Sequence, residues 1–147
     1  MQNQTIKQIT LYADGSSLGN PGPGGYGGIL EYKNHTKEYS GGETLTTNNR
    51  MELRGVIEGL KLLKEPCRVQ IVSDSSYVVK AINEWLDGWI AKDFKKVKNI
   101  DLWKEYLKVS KPHQITATWV KGHNGHPQNE KCDLLAKQQA EIYKKES

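Results

Sequence analysis

Residues 15–28 hold seven of the chain's 14 glycines and two of its five prolines. So dense a run of residues that release or break the backbone marks where regular structure stops and restarts, and the rest of the chain is read around it. Ahead of it, Ile9, Leu11 and Ala13 alternate with Thr10, Tyr12 and Asp14, the period of a strand with one buried face. Asp14 is therefore expected to close a first strand, the glycines to form a turn system, and a second strand to follow over residues 26–32.

A third strand is expected over residues 36–40, ending at Gly41 and Gly42. Thr46, Thr47 and Asn48 are candidate caps for a helix running to about residue 63, with Met51, Val56, Leu60 and Leu63 as its apolar stripe and Glu52 in its first turns. After Pro66, the apolar run 69–72 ends in Ser73-Asp74-Ser75, a buried strand feeding a capped helix that carries Tyr77, Val78, Ala81, Ile82 and Trp85. Strand, helix and strand in succession predict a parallel pairing of the first and fourth strands, which sets Asp14 and Asp74 at matching carboxyl ends. A basic, tryptophan-containing section, an amphipathic helix near 100–109, a strand over 115–120, a Gly/His loop and a last helix over 129–144 complete an α/β chain.

At 147 residues, 36% hydrophobic and 26% charged, the chain has the composition of one globular domain. No apolar run approaches the roughly 20 residues that a bilayer helix requires, and residues 1–10 carry no hydrophobic signal segment. The expected compartment is the cytoplasm, with no membrane partner. Cys67 and Cys132 stand 65 positions apart in no framework spacing, so both are expected as reduced thiols. A net charge of +4 says little about partners until it is located. Residues 1–79 balance 8 basic against 8 acidic side chains, whereas residues 91–111 carry 7 basic against 3 acidic, so the whole excess lies in that stretch.

Asp14, Glu52, Asp74 and Asp133 each fall near an end of an expected element. Carboxylates gathered there would repel one another unless protonated or neutralised, and a hard divalent cation such as Mg²⁺ is the usual solution, one suited to phosphate chemistry. Any one of the four taken alone reads as a helix cap or a solvated charge. A zinc site of His123, His126 and Cys132 is a competing arrangement, but its H-x2-H-x5-C spacing lacks a fourth ligand and leaves the acids unexplained. Cys132 reads instead as a small apolar residue packed beside Asp133.

The wording around the four acids carries more. Tyr12-Ala13-Asp14-Gly15-Ser16, the stretch from Gly19 to Gly27, Thr47-Asn48-Asn49-Arg50-Met51-Glu52-Leu53, Ser73-Asp74-Ser75, and Trp119-Val120-Lys121-Gly122-His123 continuing to Cys132-Asp133 resemble type 1 ribonuclease H, in order and spacing, over nearly the whole chain. The resemblance implies a ribonuclease H-like fold, a five-stranded mixed sheet flanked by helices. It further implies an endonuclease that cuts the RNA strand of RNA/DNA hybrids by two-metal hydrolysis, leaving 5′-phosphate and 3′-hydroxyl ends. Asp14, Glu52, Asp74 and Asp133 match the family's metal-binding tetrad, with two Mg²⁺ expected and Mn²⁺ as a substitute. His123 matches its catalytic-loop histidine, for proton transfer or product release. Asn20, Thr47, Asn48 and Asn49 match contacts to the nucleic-acid backbone.

Trp85 and Trp89 stand four apart, Phe94 follows, and Lys92, Lys95, Lys96 and Lys98 surround them, so one helical projection would combine aromatic faces with ammonium groups suited to a phosphate backbone. Trp85 also continues the apolar stripe of Ala81 and Ile82, which favours a core position. In the family this place, about residues 85–100, holds a basic handle that grips the DNA strand. Here it is several residues shorter than in well-known bacterial members, Asp93 interrupts it, and Ser76 stands where many of them have Gln. The expectation is a single catalytic domain over residues 1–147, without a separate N-terminal hybrid-binding domain, acting as a cytoplasmic monomer in DNA replication. Two other readings remain, a noncatalytic nucleic-acid-binding module and a DNA-directed nuclease or recombinase on the same fold. The complete tetrad argues against the first, and the His123 loop, residues 47–53 and the handle against the second.

Overall fold

The structure is a computed structural model that describes residues 6–122 and 126–146. Strands β1 (Lys7–Ser17), β2 (Gly22–Tyr32) and β3 (His35–Thr46) form an antiparallel meander, and β4 (Cys67–Ser73) and β5 (Gln114–Trp119) extend it in parallel on the β1 side. The result is the expected five-stranded mixed sheet, in the order β3-β2-β1-β4-β5. Tyr12 pairs with Val72 in the β1–β4 register, so Asp14 and Asp74, each two residues further on, share one end of the sheet.

Helices α1 (Asn48–Lys61) and α4 (Ile100–Ser110) lie over the face that carries Ile9, Leu11 and Ala13. Between them in the chain run α2 (Ser76–Lys80), a π-helical turn (Ala81–Trp85) and α3 (Leu86–Ala91). Leu11, Leu53, Val56, Ile57, Val69, Ile71, Val78 and Trp103 are fully buried in this layer, each side chain of this size stabilising the fold by roughly 1.5–3 kcal/mol. Helix α5 (Pro127–Glu146) covers the opposite face of β1 and β2. Both cysteines are buried free thiols. Among the described residues no helix is long and apolar enough to cross a membrane.

Three expectations are corrected. The glycine-rich stretch is strand for most of its length: β1 runs through Asp14 to Ser17, β2 begins at Gly22, and only residues 18–21 turn, with a cis Asn20–Pro21 bond. The glycines serve packing. A Cβ on Gly27 would stand 2.7 Å from the Cys132 carbonyl oxygen, and one on Gly25 would overlap that of Ala136, so these strand positions are empty to let the α5 backbone sit directly on the sheet. Likewise β3 continues past Gly41 and Gly42 to Thr46, because Gly41 and Gly42 pair with Tyr26 and Gly25 of β2.

Trp85 is the third. The Leu86 N–H bonds back to Ala81, five residues earlier, and the extra residue in that turn rotates the helix beyond it. Leu86 takes the buried position that a regular helix would have given Trp85, and Trp85 is left 39% exposed.

Candidate active site

Thr47 caps α1, its Oγ1 accepting from Arg50 N at 3.2 Å, and so fixes the rotation of the helix that carries Glu52. At Gly15 the helix backbone touches β1: a Cβ there would overlap the main chain of Met51 and Glu52. This contact sets Glu52 beside Asp14. Asp74 follows β4, where Ser73 Oγ accepts from Ser75 N at 3.0 Å and Ser75 Oγ accepts from Val78 N at 3.2 Å to cap α2. One carboxylate oxygen from each of Asp14, Glu52 and Asp74 lies within 4.8 Å of the other two.

These acids are costly neighbours. Asp14 and Glu52 are 6% and 7% exposed. Burial first, and then the Asp74 charge, push the Asp14 carboxyl up to about 7. Burial, Asp14 and Asp74 push Glu52 well above the ordinary carboxylate range, and the approach of the two carboxyls, Asp14 and Glu52, favours a proton shared between them. Glu52 Oε1 is buried without a hydrogen-bond partner. An orphaned oxygen in an all-oxygen cluster fits a hard divalent cation, which would take the place of the shared proton.

Asp133 stands outside this triad. On α5, partly buried, it pairs with Lys137 at 3.1 Å, yet it is near enough for its charge to raise the Asp14 carboxyl further. His123 lies outside the described residues. Of the competing zinc ligands, Cys132 is fully buried, and burial first, then the Asp14 charge, push its thiol up. Among the described residues, Asp14, Glu52 and Asp74 form the one group of three or more such side chains placed to hold an ion.

Asn20, Thr47, Asn48 and Asn49 converge on a cavity of about 240 Å³ completed by Lys98 and Asn99, with Asn48 N donating to Asn20 Oδ1 at 3.4 Å. Lys98 also belongs to a neighbouring groove lined by Tyr77, Trp89, Lys92, Lys95, Lys96 and Val97, so the amides and the lysines share one surface. The lysines do not project from a helix as the sequence suggests. Helix α3 ends at Ala91 in a Schellman cap: Asp93 N bonds to Ile90 O at 3.0 Å, Phe94 N bonds to Trp89 O at 2.7 Å, and Asp93 is left-handed at φ 53°. Phe94 turns inward and is 6% exposed, an anchor rather than a surface aromatic. Trp85 and Trp89 rings lie 5.9 Å apart, and Trp89 packs edge-on to buried Trp103 at 5.5 Å, so the exposed indole is coupled to the core.

Sequence reasoning passed over Tyr77, Asn99 and Arg50. The Tyr77 hydroxyl accepts from Asn99 Nδ2 at 3.1 Å and from Trp103 Nε1 at 2.8 Å, and Arg50 reaches Asn99 Oδ1 at 3.3 Å while pairing with both oxygens of Asp101. Together they fix the wall shared by cavity and groove. The available signal was an Asn standing at a helix start, Asn99, which is left-handed at φ 60°.

The sheet thus carries an acid cluster at the end of two parallel strands, suited to a hard divalent cation, and the chain carries amides and lysines on a shared surface, suited to a phosphate backbone. An RNase H sequence-family model matches residues 6–141. The ribonuclease H of Sulfurovum sp. (strain NBC37-1) is 74% identical over 144 residues, covering 98% of this chain and 98% of that one. The ribonuclease HI of Helicobacter pylori (strain ATCC 700392 / 26695) is 62% identical over 136 residues, 92% of this chain and 95% of that one. LC9-RNase H1, a type 1 RNase H with the type 2 active-site motif, superposes with a TM-score of 0.88 at 32% identity, covering 97% of this chain and 76% of that one. LC11-RNase H1 in complex with RNA/DNA hybrid shares the fold at 23% identity, with a TM-score of 0.66 over 91% of this chain and 97% of that one. The chain belongs to the ribonuclease H family. Its members are metal-dependent hydrolases that act as endoribonucleases.

Proposed function

We propose that this chain hydrolyses the RNA strand of RNA/DNA hybrids at a divalent-cation site made by Asp14, Glu52 and Asp74, with Asp133 joining when substrate is bound. The observation that carries the reading is the gathering of three carboxylates within 4.8 Å around the unpartnered Glu52 Oε1. The ions, Mg²⁺ in the cell with Mn²⁺ as a substitute, supply Lewis acidity that activates water and stabilises charge on the departing 3′ oxygen.

The chain's own residues do the rest. Asn20, Thr47, Asn48 and Asn49 offer amide and hydroxyl groups that hold the sugar-phosphate backbone in register, and side-chain amides are suited to the 2′-hydroxyl that distinguishes RNA from DNA. The handle of Trp85, Trp89, Lys92, Lys95, Lys96 and Lys98 neutralises phosphates of the other strand and offers indole faces to sugars. Supported by its Lys121-Gly122-His123 loop wording, His123 moves protons to the departing oxygen or assists product release. The setting is a cytoplasmic monomer that clears hybrids during DNA replication, in keeping with a chain without membrane-spanning helices among its described residues.

The test presents labelled RNA/DNA hybrid, duplex DNA and duplex RNA, each with Mg²⁺ and with EDTA. Metal-dependent cleavage confined to the RNA strand of the hybrid, with 5′-phosphate ends, is the expected result; cleavage of duplex DNA, or of none of the three, defeats the reading.

A further inference from the structure

Asp74 differs from Asp14 and Glu52 in following its strand rather than lying inside an element, so its place depends on what holds the backbone beyond β4. Ser73 O accepts from Val120 N at 2.9 Å, and Ser73 pairs with Trp119 as the last step of the β4–β5 register. One residue past that step, the Asp74 carbonyl oxygen accepts from the indole Nε1–H of Trp119 at 3.1 Å. A side chain thus supplies a further rung to the ladder, at the residue whose carboxylate completes the cluster.

Packing does not account for Trp119. It remains 52% exposed, whereas Trp103 is wholly buried. Trp119 lines an open groove of about 390 Å³ together with Ser76, Val79, Lys80 and Glu84. What the indole adds at this sheet edge is a rigid donor in a fixed direction.

We infer that Trp119 is a positioning residue for the cation site: its N–H holds the Asp74 main chain so that the Asp74 carboxylate stays beside Asp14 and Glu52. This rests on the reading of those three acids as the cation site. Trp119→Phe keeps a ring and removes the donor. Titrated with Mn²⁺ alone and followed by calorimetry, the variant binds on the order of tenfold more weakly. In the cleavage assay it needs correspondingly more Mg²⁺ for half-maximal rate, with KM for hybrid unchanged at saturating metal. Trp119→His, which retains a ring N–H, recovers part of the lost Mn²⁺ affinity. Unaltered Mn²⁺ binding by Trp119→Phe overturns the inference, as does a His variant no better than the Phe variant. A raised KM with an unchanged metal requirement also overturns it and would make the exposed indole a nucleic-acid contact. Asp74→Asn separates the two levels: if it binds Mn²⁺ like the parent, the cation reading itself fails, whereas if it loses Mn²⁺ while Trp119→Phe keeps it, only the positioning role fails.

Discussion

Asp14 is held in a state that its solvated counterpart would not adopt. Its carboxyl sits at about 7 in the folded chain, against about 3.9 when unfolded. Between those values the native protein retains a proton that the unfolded chain has released, so the metal-free protein loses stability as pH rises through about 4 to 7. Asp14→Asn removes the buried charge and its repulsion with Asp74. Thermal melts in EDTA at pH 8 are expected to show this variant more stable than the parent by on the order of 2 kcal/mol, while cleavage of hybrid falls to background. A destabilised Asp14→Asn would mean that the carboxylate is stabilised by something other than a cation. His113 has the opposite sign. Its Nδ1 accepts from Cys67 N at 3.0 Å and burial lowers its pKa, so protonation costs the fold that contact as pH falls below about 6.5.

Among the elements, the segment after α3 shows best how backbone and side chain are balanced. Phe94 adopts φ 58°, a conformation that costs a bulky residue about 1 kcal/mol or more. Burial of its ring against the core and its N–H bond to Trp89 O offset that cost. Phe94→Ala is expected to lower stability in urea by about 3 kcal/mol and to weaken hybrid binding, with the catalytic rate at saturating substrate kept. Lost binding without lost stability would show that the ring contacts substrate. This segment was also the least legible part of the sequence. Alternation in Ile9, Leu11 and Ala13 and the apolar run before Asp74 identified the central strands, since their side chains report burial directly. Glycine carries no such report. Gly25 and Gly27 are empty for the sake of a helix more than 100 residues away in the chain, and local pattern alone reads Gly25 as turn and gives no reason for Gly27. The π-helical turn defeats periodicity in the same way, since one added residue changes which of Trp85 and Leu86 is buried. Within the site, the ends of β1 and β4 could be aligned from topology, but that Asp133 would pair with Lys137 and stand outside the triad instead of joining it as a fourth acid is a matter of helix position, which no short motif encodes.

At the scale of the molecule, charge is divided. A +4 chain carries its surplus in residues 91–111, and four lysines of that stretch, Lys92, Lys95, Lys96 and Lys98, line one groove next to the amide cavity. Replacing Lys95, Lys96 and Lys98 by Ala is expected to reduce the slope of log binding constant against log salt by about 2–3, measured by fluorescence anisotropy on labelled hybrid. An unchanged slope would remove these lysines from the interface. The acid cluster is the counterpart of that groove, and the proton it shares makes the charge of the whole protein depend on its cargo. Exchanging a divalent ion for that proton releases on the order of one H⁺ near neutral pH, so the heat of metal binding should change with the ionisation enthalpy of the buffer. Loading the site is therefore also an acidification of the surroundings, and the hybrid meets a protein whose positive charge has grown by less than the ion brought in.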